Sequence, residues 1–223
     1  MTDRTREIIE ELRLVVTGKT LDALLPPLVY ALLNSTLGLT LAAAAALLCA
    51  ALITLIRLAR GQKIQYAALG FAAVFLAAGL AYITKNAANY FLSAALTSGL
   101  LVASCAVSLA VGRPLAAWAS HLTRGWPLAW FWREDVKPAY TEVTLVWMAL
   151  LTMRLWVQIS LLRSGDALRL GLTNALLGWP VTIPVLVFSY VYGMWRLRKL
   201  GGPGVDEYTE GQKPPWRGQV KGF

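Results

Sequence analysis

The sequence predicts an all-α polytopic membrane protein: a helix bundle of six transmembrane helices with both termini cytoplasmic. Three observations carry this. Apolar residues make up 57% of the 223 positions and charged residues 15%, against roughly 25% charged in ordinary soluble domains. Charge is absent from runs long enough to cross a bilayer core, and lysine and arginine collect on one set of alternate loops. The net charge of +9 therefore reads as a topology signal. It argues against nucleic acid as a partner, because the basic residues are scattered in short clusters between apolar runs.

Residues 1–20 read as a cytoplasmic amphipathic segment, whose eight charges leave no apolar core for a secretory signal peptide. The first apolar span is expected to act as its own insertion signal. Residues 23–56 carry no charge. At about 1.5 Å per residue this run is far too long to cross a core roughly 30 Å thick only once. It is expected to fold back at Asn34-Ser35-Thr36-Leu37-Gly38, where turn-favouring residues cluster. A short first helix then covers about 23–34, entered through Pro26-Pro27, and a second covers 39–58.

Residues 64–84 suit a third span. Residues 86–112 supply a polar entry (Asn86, Asn89, Tyr90) and a fourth. The stretch 113–138 reads as a long cytoplasmic loop, whose Trp118, Trp126, Trp130 and Trp132 suit an amphipathic segment at the headgroup level. A fifth span covers about 142–162. The sixth lies between Arg169 and Arg196, with Gly178, Pro180 and Pro184 as kink sites and Asp166 as N-cap. The transmembrane domain thus occupies 21–200. From Gly201 to Phe223 the composition turns to Gly, Pro and charge, and a mobile cytoplasmic tail is expected.

Of the 21 lysines and arginines, 17 fall on the N-terminal segment, the loop near Lys63, the Trp-rich loop and the tail. Only Lys85, Arg163 and Arg169 fall on the opposite side, and Arg154 lies within a span. The richer side is cytoplasmic, which predicts a multi-pass protein of the cytoplasmic membrane with both termini inside. Three helix pairs with basic exits (at Arg57, Arg113 and Arg196) fit an internal repeat, but follow equally from the topology. Ala95, Gly99 and Ala103 form a small-residue stripe for close helix contact. Ser93, Thr97, Ser104 and Ser108 form a hydroxyl stripe, read either as interhelical hydrogen bonding or as a pathway wall. Cys49 and Cys105 sit in apolar runs as small packing residues.

Arg154 is the most informative residue. Trp147, Leu151 and Gln158 share its helical face. Ten Leu, Ile and Val residues within 143–162 contribute roughly −3 to −6 kcal/mol to insertion, enough to outweigh one arginine. The arginine must face the bundle and find acceptors, for which carbonyls freed near Gly178 and Pro180, or the hydroxyls of Ser98 and Ser104, are candidates. Two roles stay open: a structural arginine bracing the sixth helix, or a binding site for an anionic group formed by Arg154, Gln158, Trp147, Ser104 and Ser98.

Catalytic and metal chemistry is not expected, and no cofactor is predicted. Gly18-Lys19-Thr20 lacks the earlier glycine of a phosphate loop, where Arg13 stands. His121 is the only histidine and cannot build a zinc site. Thr97-Ser98-Gly99 lacks the surroundings of an intramembrane serine protease, and Asn34-Ser35-Thr36 is a glycosylation sequon too close to the membrane to carry meaning.

From the third helix onward the chain resembles a bacterial multi-pass membrane family catalogued as domain of unknown function 3159. The resemblance rests on Asn89-Tyr90-Phe91-Leu92, Ser108-Leu109-Ala110-Val111-Gly112-Arg113-Pro114-Leu115, Thr144-Leu145-Val146-Trp147, Arg154-Leu155-Trp156-Val157-Gln158 and Leu177-Gly178-Trp179-Pro180. It covers residues 15 to 200, and its Gly-Arg-Pro-Leu exit is also similar to intracellular septation protein A. It implies a fold more than a function, and places Arg154, Gln158 and Trp179-Pro180 on recurrent positions. The first helix pair departs from the pattern, with Asn34-Ser35-Thr36 where an acidic turn is usual. The functional expectation is a small transporter- or channel-like bundle with a polar site near Arg154. The alternative is a non-catalytic accessory or scaffold subunit that holds other membrane subunits through the Trp-rich loop and tail.

Overall fold

The structure of the protein is a computed structural model that describes residues 19–223. Apart from its last two residues, the amphipathic segment expected over 1–20 lies outside them. The described residues are helical and contain no strand. In order they form α1 (Lys19–Ala59), α2 (Ile64–Ile83), a 3₁₀ turn (Ala87–Phe91), α3 (Leu92–Ala110), α4 (Leu115–Arg124), α5 (Leu128–Phe131), α6 (Lys137–Ser164), α7 (Ala167–Leu176), α8 (Trp179–Leu200) and α9 (Val205–Thr209).

Four stretches among the described residues are long and apolar enough to cross a membrane: Asp22–Ala59, Ala87–Ala110, Lys137–Ser164 and Ala167–Leu200. Many of their outward side chains are apolar, with Leu48, Leu100 and Trp156 all strongly exposed. Water would penalise such a surface, whereas hydrocarbon accepts it because the backbone groups are bonded inside each helix.

Two compact units divide the chain. The first holds the described residues up to Leu96 together with Trp156–Ile183, the second Thr97–Leu155 together with Pro184–Phe223. In the first, α1 is broken at Gly38, whose φ of 78° and ψ of 175° are not helical. An unbroken helix would hold Asp22 and Arg57 about 50 Å apart at 1.5 Å per residue, yet Arg57 Nε lies 3.4 Å from Asp22 Oδ2. The chain therefore doubles back at the expected turn. Ser35 and Thr36 return their hydroxyls to the Leu32 and Leu33 carbonyls just before it.

The hairpin packs through small side chains. Ala31, Ala42 and Ala46 are fully buried, together with Ala78 and Ala81 of α2, so the backbones approach closely. Tyr30 stacks on Tyr90 at 4.0 Å and donates to the Ala87 carbonyl at 3.1 Å, fastening the 3₁₀ turn. Asn86 caps that turn through the Ala88 N–H. As expected, Asp166 caps a helix through the Arg169 N–H at 2.9 Å. That helix is the short α7, whose Gly171 lies so close to Ala31 that an added Cβ would collide with it.

In the second unit the family-like Gly112-Arg113-Pro114-Leu115 segment is a joint. Gly112 turns with φ of 70°, and Pro114 precedes the first turn of α4. The N–H groups of that turn have no partner within the helix. Ser108 Oγ accepts from Leu115 N at 3.1 Å and Thr144 Oγ1 accepts from Ala116 N at 3.1 Å. Across α6 and α8, Arg196 grips Glu142 with contacts of 2.9–3.0 Å and Tyr192 donates to the same carboxylate at 2.7 Å.

Two expectations are corrected here. The tryptophans do not all lie at a lipid surface: Trp130 is fully buried with Phe131 and Tyr140, and its indole N–H donates to the Pro203 carbonyl at 2.9 Å. The segment 201–223 is folded and not an extension. Phe223 stacks on Tyr140 at 4.2 Å and fills the notch left by Gly193. Glu207 accepts from the N–H groups of Gly204, Arg217 and Gly218 at 2.8, 2.6 and 3.1 Å. A single buried carboxylate thereby closes the loop, which composition could not foresee.

Two outcomes test this packing. Gly171→Ala should destabilise the protein by about 1–3 kcal/mol through overpacking. Gly99→Ala, whose new methyl would meet Leu155 at an ordinary 3.9 Å, should be near neutral. Thermal unfolding in detergent compares the two. The backbone donors hold the Glu207 carboxyl below the usual carboxylate range. Its stabilisation is therefore complete above the unfolded value of about 4.3 and is lost as pH falls below that toward the folded value. Proteolysis of the tail should accelerate over that acid window, and Glu207→Gln should flatten the dependence.

Candidate functional site

The residues expected around Arg154 have separate engagements. Arg154 is half-buried on α6 in the second unit. Trp147, one face-sharing neighbour, donates its indole N–H to Ser189 Oγ of α8 at 3.0 Å, and Ser189 donates in turn to the Val185 carbonyl. Ser104 returns its hydroxyl to the Leu100 carbonyl of its own helix at 2.8 Å. Ser98 is buried. In the first unit Gln158 is fully buried and donates Nε2 to Asn174 Oδ1 of α7 at 2.6 Å. Gln158 Oε1 and Asn174 Nδ2 remain buried without a partner, a cost that packing elsewhere must offset.

The expected kink sites have distinct roles. Gly178 is the joint between α7 and α8, where an added Cβ would lie 2.7 Å from the Asn174 carbonyl oxygen. Pro180 sits in the first turn of α8, where a missing N–H costs nothing. Pro184 lies inside α8, where no N–H is available for the carbonyl four residues earlier.

The first unit also holds a cavity of about 270 Å³, which the sequence reading missed. Asp22 and Arg57 line it with Thr54 and Ser93, and Pro26, Pro27, Ile53 and Phe91 form apolar wall. It exists because Ala50, Gly70, Ala73 and Ala77 are too small to close the space between α1 and α2. Arg57 Nη1 lies 3.7 Å from where a Cβ on Gly70 would stand, so the guanidinium rests over that glycine. In the sequence the two charges flank the uncharged run 23–56. They lie at similar distances either side of Gly38, so a reversal there brings them together. That symmetry was the available signal.

Among the described residues no group of three His, Cys, Asp or Glu side chains is placed to hold a metal ion. Apolar helices of spanning length, closed by internal polar contacts, define a helical protein of membrane character. Within that class, the chain belongs to the family described as Protein of unknown function (DUF3159), whose model matches residues 17–198. No curated protein and no solved structure matches, and the similarity to intracellular septation protein A finds no support there.

A double-mutant cycle tests whether the amide pair is structural. Gln158→Met strands Asn174 and should cost about 1–3 kcal/mol, whereas Gln158→Met with Asn174→Leu should recover most of the loss. Thermal unfolding reads both.

Proposed function

We propose that the protein is a six-crossing, non-catalytic component of the cytoplasmic membrane, with both termini inside and a cavity in its first unit that receives a small molecule, as in a transporter. The observation that carries this reading is the cavity of about 270 Å³ with a carboxylate and a guanidinium on its wall. Charges of this kind are costly in an apolar bundle unless they serve a binding function or hold the structure together. The volume lies just below the usual range of about 300–1,000 Å³ for small-molecule sites.

The six-fold count is supported by the reversal at Gly38, which makes two crossings of the stretch Asp22–Ala59. The helix Ile64–Ile83, 20 residues long, adds one, and α3, α6 and α8 complete the set. The orientation is supported by 17 basic residues against three. The cavity, with a carboxylate and a guanidinium on its wall, is preferred here to the surroundings of Arg154 as the site.

Single cysteines in a Cys49→Ala, Cys105→Ala background test the reading. In intact cells an impermeant thiol reagent should label Ser164→Cys and leave Gln62→Cys unlabelled. In folded, purified protein a water-soluble reagent should modify Ala77→Cys in the cavity and spare its neighbour Leu76→Cys, which faces outward. Protection at Ala77→Cys would sink the cavity reading.

A further inference from the structure

Among the described residues, Arg196 pairs with Glu142 and Arg57 with Asp22 across long separations in sequence. Arg196 meets Glu142 through Nε and Nη2 at 2.9–3.0 Å, a bidentate clamp. Arg57 meets Asp22 through Nε and one carboxylate oxygen at 3.4 Å, with side chains 18% and 29% exposed. The Asp22–Arg57 pair is the one that lines the cavity. Asp22 and Arg57 are also the only charged side chains among the described residues that line it.

This wall selects by charge. An entering anion would be drawn to Arg57 and repelled by Asp22 beside it, and an entering cation would meet the reverse. A molecule that carries both charges satisfies both. Beyond the pair the wall carries the hydroxyl residues Thr54, Ser93 and Tyr90, but most of it is Ala, Pro, Gly, Ile, Val and Phe, so such a molecule also needs an apolar body.

We propose that the cavity binds a zwitterionic amphiphile, its cationic group against Asp22, its anionic group against Arg57 and its apolar tail along Ala50, Ala73 and Phe91. The proposal rests on the cavity reading above and adds the chemical class of the occupant.

Three probes with the same decyl chain separate the possibilities: N-decyl-N,N-dimethylglycine, decanoate and decyltrimethylammonium. Protection of Ala77→Cys against a thiol reagent, in purified full-length protein at neutral pH, reads occupancy. The zwitterion should protect at a concentration about tenfold or more below either singly charged probe, the factor set by one charged hydrogen bond. Arg57→Gln should shift the preference to the cation, and Asp22→Asn to the anion. Protection by a short-chain phosphatidylcholine as well would assign the site to a bilayer lipid; protection by the betaine alone would assign it to a free solute. Equal protection by all three decyl probes on the unmodified charge pair overturns the proposal without any charge variant having to fold. A reactive Ala77→Cys with no charge order refutes this inference alone, whereas an unreactive one refutes the cavity itself.

Discussion

Every interruption in these helices must find partners for the backbone groups it releases, because hydrocarbon supplies none. That constraint explains the local chemistry at each joint. At Gly38 the helix stops at a residue free to take positive φ, and Ser35 and Thr36 occupy carbonyls of the preceding turn. At Gly112 the start of α4 is met by hydroxyls from α3 and α6. At Gly178 the absence of a side chain lets α8 begin against the last carbonyls of α7. The Gly112-Arg113-Pro114-Leu115 and Leu177-Gly178-Trp179-Pro180 segments of this chain are thus joints between helices.

The reversal at Gly38 has a second effect. It converts the ends of a long apolar run into neighbours, so two charges far apart in sequence share one wall of a cavity. The small residues that allow the hairpin to pack are of the same kind as those that leave the cavity open. Ala42 and Ala46 sit in close contact, whereas Ala50, Gly70, Ala73 and Ala77 border empty volume. Packing and the cavity are thus set by one choice of side-chain size, and enlarging these residues would affect both.

The second unit shows how a Gly-, Pro- and charge-rich segment can be ordered by directed polar contacts beside an aromatic core. Glu207 gathers three backbone donors, Trp130 reaches the Pro203 carbonyl, and Phe223 takes the place a side chain at Gly193 would need. Each of these contacts joins residues whose types are ordinary in a disordered tail. Composition averages over them, and only the directed hydrogen bonds distinguish a folded loop from a solvated one.

Helical class, the apolar stretches and the turn at Asn34-Ser35-Thr36-Leu37-Gly38 could be read from residue order alone, because lipid rations charge and glycine marks reversals. Asp166 was legible as a cap for the same local reason. Which polar groups meet was not legible. Trp147 with Ser189, Gln158 with Asn174, Asp22 with Arg57 and Glu207 with three amides all depend on distances between elements remote in sequence. Periodicity assigns a residue to a face of its own helix; only tertiary packing decides what stands opposite that face.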